Sequence, residues 1–229
     1  MEYSCDLGFA IIHQNKPISS KLKKVFATSY KLNSKFFSNK PKKFSIFVCN
    51  SEEEFIKYAK PYYSKWAAAV ALGGKGIAAR SPELTGYATQ WKKADFQRLM
   101  DHELSHVFWH HLCKSWSPSW LAEGLACHIG RNFSLAGGDI NKLIKKHEIN
   151  NKILDFRYLR RNFKSGHFPR YPIWQAFTGF IIGEFSTGNI RKLLKDFSKK
   201  PDKNNYQKSF KKIFGKSDRS LFAEFLESF

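Results

Sequence analysis

Residues 95–112 read DFQRLMDHELSHVFWHHL, with the pentapeptide HELSH at 102–106 in the middle of this stretch. Because His102 and His106 are four positions apart, they lie one turn apart on the same face of a helix and can both bind one metal ion. Glu103 lies beside them and can take a proton from a water molecule held by that ion. The pattern therefore predicts two metal ligands and a general base. A catalytic zinc site also needs a third protein ligand and an open fourth position.

Apolar residues around the pentapeptide recur at helical spacing and predict a helix from about Ala94 to Leu112. Upstream, hydrophobic periodicity and turn residues predict two further helices, one strand and a hairpin around a glycine turn: 19–37 and 52–59 as helices, 44–49 as the strand, and 66–72 with 76–80 as the hairpin. The small side chains of the hairpin favour either of two roles. One is pairing with an extended substrate peptide, and the other is close packing under a helix.

The run PSWLAEGLA at 118–126 predicts a second helix, with Ser119 as its cap and Glu123 in its first turns. Beyond it the chain is predicted to be helical almost throughout, with Asp139 and Asp218 as caps. The predicted helices are 139–147, 172–186, 189–198, 204–214 and 218–228.

The combination of HELSH with WLAEGLA resembles the gluzincin zinc peptidases, especially the small peptidase-MA-like domains related to aminopeptidase N and thermolysin. Residues 107–122 separate His106 from Glu123, a connection shorter than in the large aminopeptidases. The resemblance implies that His102, His106 and Glu123 bind one Zn²⁺ ion. It also implies that Glu103 is the catalytic base.

The resemblance extends over about residues 43–229 and implies an α+β, zincin-like fold. A small mixed β-sheet would pack on the HExxH helix, followed by a mostly helical C-terminal subdomain. On this interpretation residues 1–42 are an N-terminal extension with a strand and a basic helix, and their role, including that of a pro-segment, stays open. The upper part of the peptidase domain would be 43–117 and its helical lower part 118–229.

The implied activity is hydrolysis of peptide bonds by a zinc-bound water that Glu103 activates. The developing oxyanion needs a second electrophile, for which related families use a Tyr or a His. Tyr171, which opens the predicted helix at 172–186, matches the position of that Tyr, and His167 is the second candidate. No Gly-x-Met-x-Asn segment precedes HELSH, so an exopeptidase is not supported.

Other histidines and cysteines near these motifs are predicted to be structural. His110 lies about 80° around the helix from His102, so it is not expected to bind the same ion. Cys127 follows Glu123 by one turn, where thermolysin-like enzymes place a carboxylate. A buried thiol is expected there and at Cys113, and packing is expected for His128.

The chain of 229 residues carries 39 Lys and Arg against 19 Asp and Glu, a net charge of +20. Such a charge attracts anionic partners such as nucleic acid or a membrane surface, although the sequence contains no recognisable nucleic-acid-binding motif. The densest Arg cluster lies just before Tyr171. It either binds acidic side chains or a phosphate near the cleft or forms a solvated basic face; it consists of Arg157, Arg160, Arg161, Lys164 and Arg170.

The sequence has four cysteines without CxxC spacing, and neither a signal peptide nor a transmembrane segment is recognised in it. We therefore expect a cytoplasmic protein with free thiols. Two alternatives to a peptidase stay open. The first is a basic protein that binds nucleic acid or a membrane surface and whose zinc site stabilises the fold. The second is a zinc hydrolase of a non-peptide amide.

Overall fold

The computed structural model describes the following residues: 1–84, 95–115, 117–133, 137–155 and 170–229. They form an α+β fold with a small mixed sheet and several helices, which confirms the predicted fold class. The chain divides into two compact units, Met1–Lys114 and Ser115–Phe229. The predicted division between residues 117 and 118 falls close to this boundary.

The first unit contains a five-stranded sheet made of β1 Tyr3–Asp6, β2 Ala10–Gln14, β3 Phe44–Cys49, β4 Ala69–Ala71 and β5 Gly76–Arg80. The strand order is β1-β2-β3-β5-β4. The two central pairings are parallel, and the two outer pairings are antiparallel. The predicted strand at 44–49 and the predicted hairpin are therefore confirmed, and β4 lies at an edge of the sheet.

Three helices accompany this sheet: α1 Ser20–Phe37, α2 Glu52–Ala59 and α3 Phe96–Cys113. Helix α2 begins at the predicted residue, and α1 begins one residue after the predicted Ser19. The hydroxyl groups of Ser19 and Ser51 accept hydrogen bonds from backbone amides in the first turns of α1 and α2. Helix α3 is the predicted HExxH helix, and Lys114 ends it in the left-handed conformation. The predicted start of this helix at Ala94 lies outside the described residues.

The two faces of the sheet are covered by different helices. Ile46 and Ile77 belong to one core cluster together with buried residues of α1 and α3. Ala78 points the other way and packs with Phe55 of α2. Residues 1–42 thus contribute two strands and a helix to this unit, with β2 paired to β3 and α1 packed on α3.

Gly76 allows the parallel pairing of β3 with β5. It lies opposite Ser45 and has φ +142°, in the region that favours glycine. A Cβ atom at this position would lie 1.8 Å from the Ser45 carbonyl oxygen. Only glycine therefore fits at the start of β5.

The described part of the second unit is helical, with α4 Ser119–Gly130, α5 Gly137–Lys146, α6 Arg170–Phe197, α7 Lys203–Phe214 and α8 Asp218–Glu227. Helix α6 packs against each of the other four. Its helical run is interrupted at Ser186 (φ 75°, ψ 157°), the last residue of the predicted helix 172–186. Among the described residues, no helix has the length and apolar content needed to cross a lipid bilayer.

The three predicted helix caps of this unit were wrong. Pro118 holds the extended N-cap conformation before α4, so Ser119 is the first helical residue. Ser217 accepts the capping hydrogen bond from the Ser220 amide, which places Asp218 inside α8. Asp139 lies in the first turn of α5, which begins at Gly137. In each case the helix begins at least one residue closer to the N-terminus than the side-chain preference alone predicts.

Candidate metal centre

The two histidines of HELSH lie side by side on α3. Their Nε2 atoms are 3.2 Å apart, and their rings are nearly perpendicular, at 81°. Two nitrogen atoms bound to one tetrahedral zinc ion, each at about 2.05 Å, would lie about 3.3 Å apart. The imidazoles of His102 and His106 therefore fit a shared divalent ion without rearrangement.

A buried hydrogen-bond network ties this part of α3 to α1. Gln97 donates from Nε2 to Asp101 Oδ1 at 2.9 Å and to Ser29 Oγ at 2.7 Å. Asn33 donates from Nδ2 to the Asp101 carbonyl at 3.0 Å, and the Ser29 hydroxyl donates to the Asp101 carboxylate. Because Asp101 immediately precedes His102, the network fixes the rotation and register of the helix next to the first histidine.

Glu103 is buried on the same helix, with only 7% of its surface exposed. Buried glutamates are rare unless they are paired or functional. His106 is buried to a similar degree. The proposed base is thus held in a largely water-excluded environment, in which electrostatic interactions are stronger than in bulk water.

Glu123 lies on α4 in the second unit, next to a very close helix contact. A Cβ atom at Gly124 would lie 2.3 Å from Thr178 Oγ1 and 2.8 Å from the Trp174 carbonyl oxygen, both on α6. Helices α4 and α6 can approach this closely only because Gly124 has no side chain. The glycine that follows the predicted ligand therefore fixes Glu123 against the helix that carries Tyr171.

Tyr171 lies at the start of α6, as the second residue of the helix. The Arg170 guanidinium donates to its hydroxyl oxygen at 3.4 Å and lies 4.9 Å from the ring centroid. The ring also meets Trp174 edge to face, at 5.7 Å. Burial, followed by the negative charge of Glu123, raises the pKa of Tyr171 above its ordinary value. The hydroxyl therefore stays protonated and lies within the electrostatic reach of Glu123.

Several predicted residues of the lower part lie outside the described residues. They are His167, the second candidate for the oxyanion partner, and four members of the basic cluster: Arg157, Arg160, Arg161 and Lys164. The fifth member, Arg170, contacts Tyr171 as described above.

His110 and His111 face the glycine turn between β4 and β5. His111 Nε2 lies 3.0 Å from the Gly74 carbonyl oxygen. A Cβ atom at Gly73 would lie 3.1 Å from His110 Nε2, so this ring packs directly on the turn. Both side chains thus join α3 to the hairpin.

The remaining candidates have ordinary structural positions. Burial raises the pKa of the Cys113 thiol to about 12, which keeps it protonated and a poor metal ligand. Cys127 is buried. His128 lines a cavity of the second unit together with Phe180 and Phe225.

The sequence interpretation missed the polar network between α1 and α3. A signal for it is present, since buried positions of α1 recur at 22, 26, 29, 33 and 37, and two of them are the polar residues Ser29 and Asn33. Polar residues on an otherwise apolar helix face indicate buried hydrogen-bond partners. Gln97 and Asp101 show the matching spacing of four on α3.

No family model matches this sequence, and no curated protein matches it. The assignment to the gluzincin peptidases therefore stays a prediction that rests on the two motifs.

Proposed function

We propose that the protein is a zinc-dependent metallopeptidase in which His102, His106 and Glu123 hold one Zn²⁺ ion. Each of the three side chains offers one ligand atom, and two neutral imidazoles with one carboxylate are a known ligand set for catalytic zinc. The observation that carries the proposal is the 3.2 Å separation of the two Nε2 atoms on α3. In the part of the chain that the structure describes, α3 ends at Cys113 and α4 begins at Ser119.

A bound zinc ion would supply Lewis acidity, polarising a carbonyl group and lowering the pKa of a water molecule to about 7. Glu103 accepts the proton of the attacking water and then delivers it to the leaving amine. Its burial favours this cycle, because a site shielded from bulk water limits the loss of the transferred proton to solvent.

Tyr171 is proposed to donate its hydroxyl proton to the developing oxyanion. This role requires a protonated hydroxyl on an oriented ring. The raised pKa of Tyr171 supports the first requirement, and its contacts with Arg170 and Trp174 support the second.

The proposed substrate is an extended peptide. Strand β4 is an edge strand with small side chains, and it packs on α3, the helix of the proposed ligands. Edge strands bind extended peptides through main-chain hydrogen bonds. The net charge of +20 favours acidic partners. We also propose a cytoplasmic location, which the four free cysteines support.

The test is digestion of a mixed peptide library by the wild-type protein and by Glu103→Gln, with zinc content measured for both. Loss of the base should lower kcat by about 10²–10⁴-fold with zinc retained. Tyr171→Phe should lower kcat by about 10²-fold, whereas Tyr3→Phe at an exposed position of β1 serves as its control. Equal cleavage by wild type and Glu103→Gln would contradict the mechanism.

Two other results would redirect the assignment. An intact peptide library, together with zinc-dependent hydrolysis of small amides, would favour a hydrolase of non-peptide amides. Salt-dependent binding to nucleic acid or lipid without any hydrolysis would favour a binding protein with a structural zinc ion.

A further inference from the structure

Two aromatic side chains are exposed in the segment between α2 and β4, residues 60–66, which has the sequence KPYYSKW. Trp66 is 69% exposed and Tyr62 48% exposed, the two largest values among the exposed large hydrophobic residues of the described chain. Exposure of large apolar side chains to water is unfavourable. Clusters of exposed apolar groups therefore often mark an interaction site.

The same segment is held by a buried arginine. Arg80 at the end of β5 is fully buried and makes a bidentate salt bridge to Glu52, with N–O distances of 2.9 and 2.7 Å. Its guanidinium also donates to the Lys65 carbonyl at 3.2 Å and lies over the Phe55 ring. Burying a guanidinium is unfavourable unless its charge is paired. Here the paired guanidinium holds the backbone immediately before Trp66.

Further contacts complete the fixation of this segment. Tyr63 donates from its hydroxyl to Glu52 at 3.0 Å, and the Tyr62 amide donates to the Ala59 carbonyl at 2.8 Å. The Ala67 amide donates to the Ser64 carbonyl at 3.0 Å. Because the backbone is already ordered, presenting Trp66 to a partner loses little conformational entropy.

The two charged side chains of the segment itself are positive, and the Glu52 carboxylate that contacts the segment is paired with Arg80. Lys60 and Lys65 are exposed within the segment, and no Asp or Glu occurs from residue 55 to residue 82. The partner should therefore combine an apolar layer with anionic groups. A membrane surface has both, since Trp and Tyr favour the lipid–water interface and lysines favour anionic headgroups.

Single-stranded nucleic acid fits the segment less well. Such partners are usually bound along a groove by successive stacking residues together with arginines. The segment offers two exposed rings, and its neighbouring arginine is buried against Glu52.

We propose that residues 60–66 form a peripheral docking site for anionic phospholipid membranes, with Trp66 in the interface and Lys60 and Lys65 at the headgroups. This inference does not depend on the proposed peptidase activity. It explains why a buried arginine, paired with Glu52, supports a segment whose largest side chain faces water.

The test is co-sedimentation of the full chain with vesicles of phosphatidylcholine alone or with 30% phosphatidylglycerol, at low and high salt. The wild type should bind the anionic vesicles in low salt, and Trp66→Ala should lower the partition coefficient by about tenfold. Lys60→Gln and Lys65→Gln should each lower it by about fivefold. All three positions are exposed, so these variants should fold normally.

Matched controls on other surfaces separate this segment from general charge and exposure. Tyr3→Ala removes another exposed ring, and Lys21→Gln with Lys24→Gln removes two exposed lysines of α1. These controls should change the partition coefficient less than twofold. The proposal is overturned if the wild type does not bind the anionic vesicles, or if Trp66→Ala binds them as well as the wild type. It is also overturned if Trp66→Ala weakens binding to oligo-dT while vesicle binding is unchanged.

Discussion

Helix α3, which carries His102 and His106, is tied to α1 by buried hydrogen bonds, whereas α4, which carries Glu123, meets α6 through a glycine. In the first case directional bonds fix the rotation of the helix, and each bond can lengthen slightly at modest cost. In the second case two backbones touch with no space for a methyl group. The Glu123 helix should therefore be the more sensitive of the two to small changes of volume, and the histidine helix to loss of polar partners.

Gly124→Ala should have the largest effect on stability. The added methyl group would meet Thr178 Oγ1 and the Trp174 carbonyl oxygen at distances too short for any Cβ atom. We expect the free energy of unfolding to fall by about 3 kcal/mol, which denaturant unfolding measures.

A second substitution separates side-chain from backbone crowding at the same place. Combining Gly124→Ala with Thr178→Ala should recover only part of the lost stability, because the Trp174 carbonyl remains in the way. Gly179→Ala is the matched control, since its methyl group would meet His128 at an ordinary 3.8 Å. An unfolding free energy for Gly124→Ala equal to that of the wild type would show that the α4–α6 contact is looser than described.

Asp101→Ala should have the next largest effect, about 2 kcal/mol of unfolding free energy. It leaves the Ser29 hydroxyl and the Gln97 amide without their buried acceptor. Ser29→Ala should cost about 1 kcal/mol, and a double-mutant cycle should show coupling between the two positions. Fully additive losses would mean that these residues do not act as one network.

Gly183→Ala in α6 should have the smallest effect, and of opposite sign. Nothing lies within 4 Å of a Cβ atom at this position, so alanine adds no clash. Its better helix propensity should raise the unfolding free energy by about 0.5–1 kcal/mol. A loss of stability here would mean that crowding along α6 is not confined to the contact with Gly124.

The sequence predicted the elements of the fold well where local patterns decide them. The strand at Phe44–Cys49 and the helix at Glu52–Ala59 follow from hydrophobic density and from a Ser-Glu-Glu-Glu start, and both have the predicted bounds. Helix caps were less predictable, because Pro118 and Ser217 compete locally with the expected Ser119 and Asp218.

For the candidate site, the sequence predicted a set of residues but not the contacts that support them. The adjacency of His102 and His106 follows from helix geometry alone. The hydrogen bonds from α1 to Asp101 join residues about seventy positions apart, and the crowding at Gly124 depends on residues of α6 at least fifty positions away. Such long-range contacts are set by tertiary packing, which a local pattern does not contain.

The most direct test of the proposed three-ligand site is the zinc affinity of the wild type and of Glu123→Ala, measured by chelator competition with zinc stoichiometry from elemental analysis. We expect one zinc ion per chain in the wild type. In Glu123→Ala the affinity should fall by at least about 100-fold, since even the loss of a group that only supports a ligand costs about 10–100-fold. Stoichiometric zinc bound to Glu123→Ala with wild-type affinity would contradict the assignment of Glu123 as the third ligand.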